Sequence, residues 1–183
     1  YVYDPNAYND FTLEQLRLLN VNGSALFDGV PTTVAGVVHG VNFQPTGYSF
    51  YLIDENNVGI NVFSNDPGSY IVAEGDRLKV SGTIDQFNGL LEIRPDTIEL
   101  VSSGNPINTP RQVLALTEMD ESSYLFINEL SVDSVSNISD AGFTVYTTQQ
   151  SGSKIPVRID ADALPDLEPG NFAGGPWVTV WGI

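Results

Sequence analysis

The chain has 183 residues, of which 42% are hydrophobic, enough to fill one large β domain or two domains of about 90 residues each. Its 23 acidic residues against seven basic ones give a net charge of −16, a field that repels phosphate backbones and disfavours nucleic acid as a partner. The absence of Cys excludes a disulfide-stapled scaffold, and no apolar run is long enough to span a membrane.

The N-terminal region combines an extended segment with the start signal of a helix. Residues 1–10 read YVYDPNAYND, with apolar and aromatic residues that alternate as in a strand. Thr12 is followed three residues later by Gln15, a capping-box pattern, and Phe11 and Leu16 have the spacing of a hydrophobic staple. We therefore expect a short helix over about Leu13 to Leu19, ended by the turn residues NVNG.

Five strand signals follow this helix. They are rich in β-branched and aromatic residues and are separated by Gly and Asn turns: VPTTVAGVVHGVNF, YSFYLIDENN, VGINVF, RLKVSGTI and GLLEIRPDTIEL. Together with the helix they predict a first β domain over residues 11–108.

The same order of signals begins again after about 100 residues, which is typical of an internal repeat. In TPRQVLAL, Thr109 is the expected helix cap, Pro110 takes the first helical position and Gln112 completes a capping box. Four strand signals follow: YLFINELSVDSVS, GFTVYTT, KIPVRID and PWVTVWGI. The sequence thus predicts a second domain over residues 109–183 with one strand fewer than the first.

The first of these domains resembles a known bacterial module. Its strands and the segments GVVHGVN, GINVF, EGD and QFNG are similar to the tandem OB-fold modules of secreted Bacteroidetes-type proteins, found beside nuclease and lamin-tail domains. The resemblance is weaker over the second domain, which lacks counterparts of GVNF and QFNG. It implies an all-β chain of two tandem OB-fold-like Greek-key barrels, each preceded by a short helix, in a secreted or cell-surface protein. Because these motifs specify a fold and not a reaction, function has to be argued from sites.

Because the second domain lacks a signal for a fifth strand, we expect it to accept a strand from another subunit. In an OB-fold the fifth strand lies between the third and the fourth, so KIPVRID and PWVTVWGI would keep open edges. The candidate acceptor residues are Ile155, Val157, Ile159, Trp177, Val178, Val180, Trp181 and Ile183. The candidate donor residues are Tyr1, Val2, Tyr3, Pro5 and Tyr8, which match the pattern of LEIRPDTIE in the first domain.

We expect residues 1 to about 9 of one subunit to complete the second barrel of its neighbour, a head-to-tail contact that propagates as a filament. The alternative is that the chain is a piece of a longer protein whose fifth strand follows Ile183.

Catalytic chemistry is not expected. A Ser–His–Asp triad needs a His, and the single His39 lies between Val38 and Gly40 on the first long strand. The lack of Cys and the single His argue against a transition-metal site, so we expect no cofactor, with calcium as the one metal to consider. Its candidate ligands lack EF-hand spacing and are Asp54, Glu55, Asn57, Asp160 and Asp162.

Two classes of function stay open. The first is a non-catalytic extracellular structural or interaction protein that assembles with itself. The second is an accessory module of a larger secreted enzyme, such as an extracellular nuclease, that binds a glycan or a nucleic acid. Its ligand face would be formed by strands two and three, with Tyr48, Phe50, Tyr51 and Phe63.

Overall fold

A computed structural model of the chain describes residues 7–183 apart from Pro165, Gly174 and Pro176, and of Trp181 it describes the backbone alone. The strands are β1 (Asn9–Asp10), β2 (Pro31–His39), β3 (Tyr48–Ile53), β4 (Gly59–Ser64), β5 (Arg77–Phe87), β6 (Leu90–Ser102), β7 (Arg111–Gln112), β8 (Leu125–Ser139), β9 (Gly142–Gln149), β10 (Lys154–Asp160) and β11 (Trp177–Gly182). One α-helix, α1 (Leu13–Leu16), and two 3₁₀ turns, Glu118–Asp120 and Pro169–Phe172, accompany them. The all-β prediction is confirmed, and all nine predicted strands are present as β2–β6 and β8–β11. No described helix has the length and apolar character needed to cross a membrane.

The chain divides into two compact units, each with its own sheet. Unit 1 consists of Tyr1–Thr109, of which the described part begins at residue 7, together with Thr117–Tyr124 and Ile183. Unit 2 consists of Pro110–Leu116 and Leu125–Gly182. The short segment Thr117–Tyr124 therefore belongs to the first unit, although it follows the beginning of the second in sequence.

Unit 1 is built on a barrel-like sheet. Its strand order is β1-β2-β3-β4-β6-β5, and β5 also pairs with β2. β6 runs parallel to β4 and antiparallel to β5, so the last strand in sequence lies between the third and fourth of the five long strands. The inward side chains are fully buried and include Phe50, Leu52, Ile60, Val62, Leu78, Ile84 and Ile93.

Helix α1 forms at the predicted capping box. The Thr12 side chain accepts the N–H of Gln15, and the Gln15 side chain accepts the N–H of Thr12. Leu13 and Leu16 are buried in the core of unit 1. The helix ends at Leu16 rather than Leu19, because Leu19 instead forms a β-bridge with Ala25 across the following turn.

Unit 2 has the sheet order β10-β9-β8-β11, with β7 beside β8. β8 is antiparallel to β9 and β11, β9 is antiparallel to β10, and β7 is parallel to β8. Unit 1 contains the same kinds of pair in the same chain order: β2 with β3 and β5, β3 with β4, and β1 with β2. Within the described residues of unit 2, no strand takes the place that β6 has in unit 1.

The helix predicted after Thr109 is wrong. Arg111 and Gln112 instead form β7, which pairs in parallel with Leu125 and Phe126 of β8. The next amide, that of Val113, donates to the Phe126 carbonyl, and the Val113 side chain is buried in the core of unit 2. Backbone pairing and burial of Val113 outweigh the local capping signal, which is worth about 1 kcal/mol at most sites. Unit 2 is therefore introduced by a short strand and not by a helix.

Candidate assembly site

Strands β10 and β11 form the two ends of the unit 2 sheet. Within the described part of the chain, β10 pairs only with β9 and β11 only with β8. An edge strand presents backbone N–H and C=O groups on its free side, and these can pair with a strand from elsewhere. The acceptor predicted from the sequence corresponds to these two edges.

The side chains of the two edges contribute to the two apolar clusters of unit 2. Ile155 and Ile159 of β10 are buried, while Val157 of β10 and Val178 and Val180 of β11 are half-buried. Val157 and Val178 pack against both apolar clusters of unit 2. Both edges therefore contact the same two apolar clusters and do not lie on unrelated surfaces.

In unit 1, β6 lies between β4 and β5, the place that corresponds to the one between β10 and β11 in unit 2. There β6 contributes Leu91 and Ile93 to the core, with exposed fractions of 4% and 0%. The residues of β4 and β5 beside them, such as Val62 and Ile84, are fully buried. In unit 2, Val157, Val178 and Val180 are partly exposed, and no strand of the described residues covers them.

The remaining predicted acceptor residues are not part of the apolar clusters as described. Trp177 is 63% exposed at the start of β11. Ile183 is 41% exposed, follows the end of β11 and belongs to unit 1. The side chain of Trp181 lies outside the described part of the chain, although its backbone pairs with Phe126.

The predicted donor segment is described only at its end. Tyr1, Val2, Tyr3 and Pro5 lie outside the described residues. The Tyr8 hydroxyl donates to Asp96 of β6 at 2.8 Å, and this hydrogen bond raises the pKa of Tyr8. Asn9 is buried, and its side-chain amide donates to the carbonyls of Ala7 and Pro31 at 3.0 Å each. Tyr8 and Asn9 are thus held in unit 1.

The predicted ligand face of unit 1 is largely part of the core. Tyr48 and Phe50 are buried, and the Tyr48 hydroxyl donates to the Tyr70 carbonyl and accepts the Tyr70 N–H, both at 3.0 Å. Tyr51 and Phe63 are half-buried, and burial raises the pKa of Tyr51. The aromatic area available for stacking is therefore small.

The calcium candidates are used in backbone turns. One carboxylate oxygen of Asp54 accepts the N–H groups of Asn56 and Val58, and Asp160 accepts the N–H of Asp162. The Asn57 side chain is engaged with the backbone of Tyr124, and Glu55 is exposed. In the part of the chain that the structure describes, no group of three or more His, Cys, Asp or Glu side chains is arranged to hold a metal ion.

His39 is a buried member of the unit 1 framework, with 1% of its surface exposed. Its Nε2 accepts the backbone N–H of Asn108 at 2.9 Å, and its Nδ1 lies 3.0 Å from the Val37 carbonyl oxygen. Burial lowers the pKa of His39. With both ring nitrogens occupied by backbone groups, the imidazole stabilises the fold and is closed to substrate.

Unit 2 also contains a cavity of about 360 Å³ that the sequence did not reveal. It is lined by Gln112, Val113, Leu114, Asn128, Glu129, Gln149, Gln150 and Ser151. These residues come from separate segments, so no local motif could have brought them together.

Comparison of the chain with protein-family models and with curated proteins finds no match.

Proposed function

We propose that this protein is a non-catalytic structural protein of the cell surface or extracellular space, built from two OB-fold-like barrels, that assembles head to tail by strand exchange. The observation that carries the proposal is the correspondence between the two sheets. Unit 2 repeats the strand pairings of unit 1 except those made by β6, and it leaves β10 and β11 with open edges in the described chain.

The geometry of β6 defines how a donor would bind. A donor in the equivalent place runs parallel to β10 and antiparallel to β11, and its inward residues cover Val157, Val178 and Val180. Pro156 of β10 has no N–H, so this edge offers one hydrogen-bond donor fewer than an ordinary strand.

The donor that we assign is residues 1–6 of a second copy. Six residues equal the length of β4 and of β11, so a donor of this length can pair along the whole of β11. Its alternation places Tyr1 and Tyr3 on one face, as Leu91 and Ile93 are placed on β6. Tyr8 and Asn9 stay with their own unit 1 through the contacts described above, and they anchor the donor to the subunit it comes from.

The decisive experiment compares the whole chain with a variant lacking residues 1–6, by sedimentation velocity over a range of concentrations and by negative-stain electron microscopy. We expect filaments whose length grows with concentration for the whole chain, and monomers for the truncated one. The truncation retains Asn9, whose removal would damage unit 1.

A matched pair of substitutions separates strand insertion from a general effect of the terminus. Tyr3→Asp places a charge on the inward face of the donor and is expected to abolish assembly, whereas Val2→Asp places the same charge on the outward face and is expected to preserve it. Assemblies that persist without residues 1–6, or a whole chain that stays monomeric at every concentration, would refute strand exchange.

A further inference from the structure

The cavity of unit 2 has a lining suited to hydroxyl groups. Four of its lining residues carry side-chain amides, one carries a hydroxyl and one a carboxylate, and none is basic: Gln112, Asn128, Gln149, Gln150, Ser151 and Glu129. An amide both donates and accepts hydrogen bonds, and so does a hydroxyl group. Such a lining matches a ligand that carries many hydroxyls, independently of whether the chain exchanges strands.

Gln149 provides a buried acceptor in this lining. The residue is 9% exposed, and its Nε2 donates to the Leu114 carbonyl at 2.9 Å, which fixes the orientation of the amide. Its Oε1 is buried and has no hydrogen-bond partner among the described residues. A buried acceptor of this kind favours a ligand that brings an O–H or N–H donor.

Two further residues of the lining lie in a β-bulge of β8. Ile127 pairs with Val180 and Leu130 with Val178, so two residues of β8 lie opposite one residue of β11. The two bulged residues are Asn128 and Glu129, and both line the cavity. Bulges often turn side chains toward functional sites.

The backbone of the bulge is strained at Glu129. Its φ is +57°, in the left-handed region that residues with a Cβ rarely adopt. Its carboxylate accepts the Gln150 side-chain N–H at 3.0 Å, a hydrogen bond between two residues of the lining. Strain of this kind tends to persist where the side chain serves a site, since Gly would fit the backbone better.

We propose that this cavity binds a neutral carbohydrate. The net charge of −16 and the carboxylate of Glu129 disfavour phosphates and acidic glycans. The amides and Ser151 match sugar hydroxyls, and Leu114, which is 84% exposed, offers an apolar flank for the C–H face of a sugar ring. The volume of about 360 Å³ lies in the range of about 300–1,000 Å³ that is usual for small-molecule sites.

Titration calorimetry of the whole chain with four neutral trisaccharides tests this proposal: maltotriose, cellotriose, mannotriose and triacetylchitotriose, each up to about 10 mM, where weak sugar binding is measurable. We expect saturable heat from at least one of them. The absence of heat from all four would overturn the proposal.

Two substitutions then locate the site. Glu129→Gly removes the carboxylate and relieves the backbone, so we expect at least a tenfold loss of affinity with no fall in the thermal midpoint. Asn137→Gly is the matched control, because Asn137 also lies on β8 with a positive φ of +53° but does not line the cavity. It should leave the affinity unchanged.

Binding that survives Glu129→Gly, or that is lost equally in both variants, would place the ligand elsewhere and overturn the assignment. Removal of residues 1–6 should leave sugar binding intact, so failure of strand exchange and failure of this site can be told apart.

Discussion

The buried imidazole of His39 makes unit 1 sensitive to mild acid. Because the Asn108 N–H donates to Nε2, the neutral ring carries its proton on Nδ1, which donates to the Val37 carbonyl. Protonation of Nε2 would bring an N–H against the N–H of Asn108 at this buried position. The pKa of His39 is accordingly lowered from its ordinary value near 6.5, chiefly by burial.

The direction and the size of the change in unfolding free energy with pH follow from thermodynamic linkage. Since the pKa is lower in the folded chain than in the unfolded one, the stabilisation is complete above about pH 6.5 and is lost as the pH falls toward the folded pKa. One such group contributes a loss of up to about 1.4 kcal/mol between about pH 7.5 and about pH 5.5. Burial raises the pKa of Glu92 and Glu121, which has the opposite effect on stability as the pH falls.

The assay compares wild type with His39→Leu by urea unfolding at about pH 7.5 and about pH 5.5. We expect the Leu variant to be less stable at both pH values, because it leaves the Asn108 N–H without its acceptor. The effects of Glu92 and Glu121 are common to both proteins and cancel in the difference between the two pH dependences. We expect wild type to lose up to about 1.4 kcal/mol more than the variant. Equal pH dependences, or a histidine NMR signal that titrates at or above its ordinary pKa, would refute the reasoning.

Three substitutions, the first with a matched control, test the packing of the units by chemical or thermal unfolding. Gly59→Ala places a Cβ against the Ser122 carbonyl and should destabilise unit 1 by about 1–3 kcal/mol, while Gly182→Ala, which meets no atom within 4 Å, should have little effect. Thr12→Ala removes the cap of α1 and should cost about 1 kcal/mol; no change would mean that the capping box is dispensable. Leu130→Ala should cost about 2–5 kcal/mol in unit 2, because Leu130 is fully buried, and a smaller loss would indicate a loosely packed core.

The long strands were predictable from the sequence because each has a local signature. In β5, Leu78, Val80 and Ile84 are buried on one face, and this alternation is readable without knowledge of the partner strand. The capping box of Thr12 and Gln15 is likewise a contact between residues three apart. Signals that depend on neighbouring residues were therefore sufficient for most of the framework.

The parts that were not predicted depend on residues far apart in sequence. Gln112 lies in a strand because β8 pairs with it, and its own neighbours favour a helix. The bulge at Glu129 depends on the register of β8 with β11. Gln149 of β9, which lies 20 residues further along the chain, lines the same cavity as Glu129. No local sequence pattern predicts any of these features.

The path of the chain between the two units has a consequence for how such a protein can be recombined. The chain contributes Pro110–Leu116 to unit 2, returns to unit 1 for Thr117–Tyr124, and then enters unit 2 again at Leu125. A cut after Thr109 would take from unit 1 the Glu121 carboxylate that accepts the Leu91 N–H, and a cut after Tyr124 would take β7 from unit 2. No single crossover in the gene separates two intact halves, so shuffling that preserves both folds has to transfer the pair as one cassette.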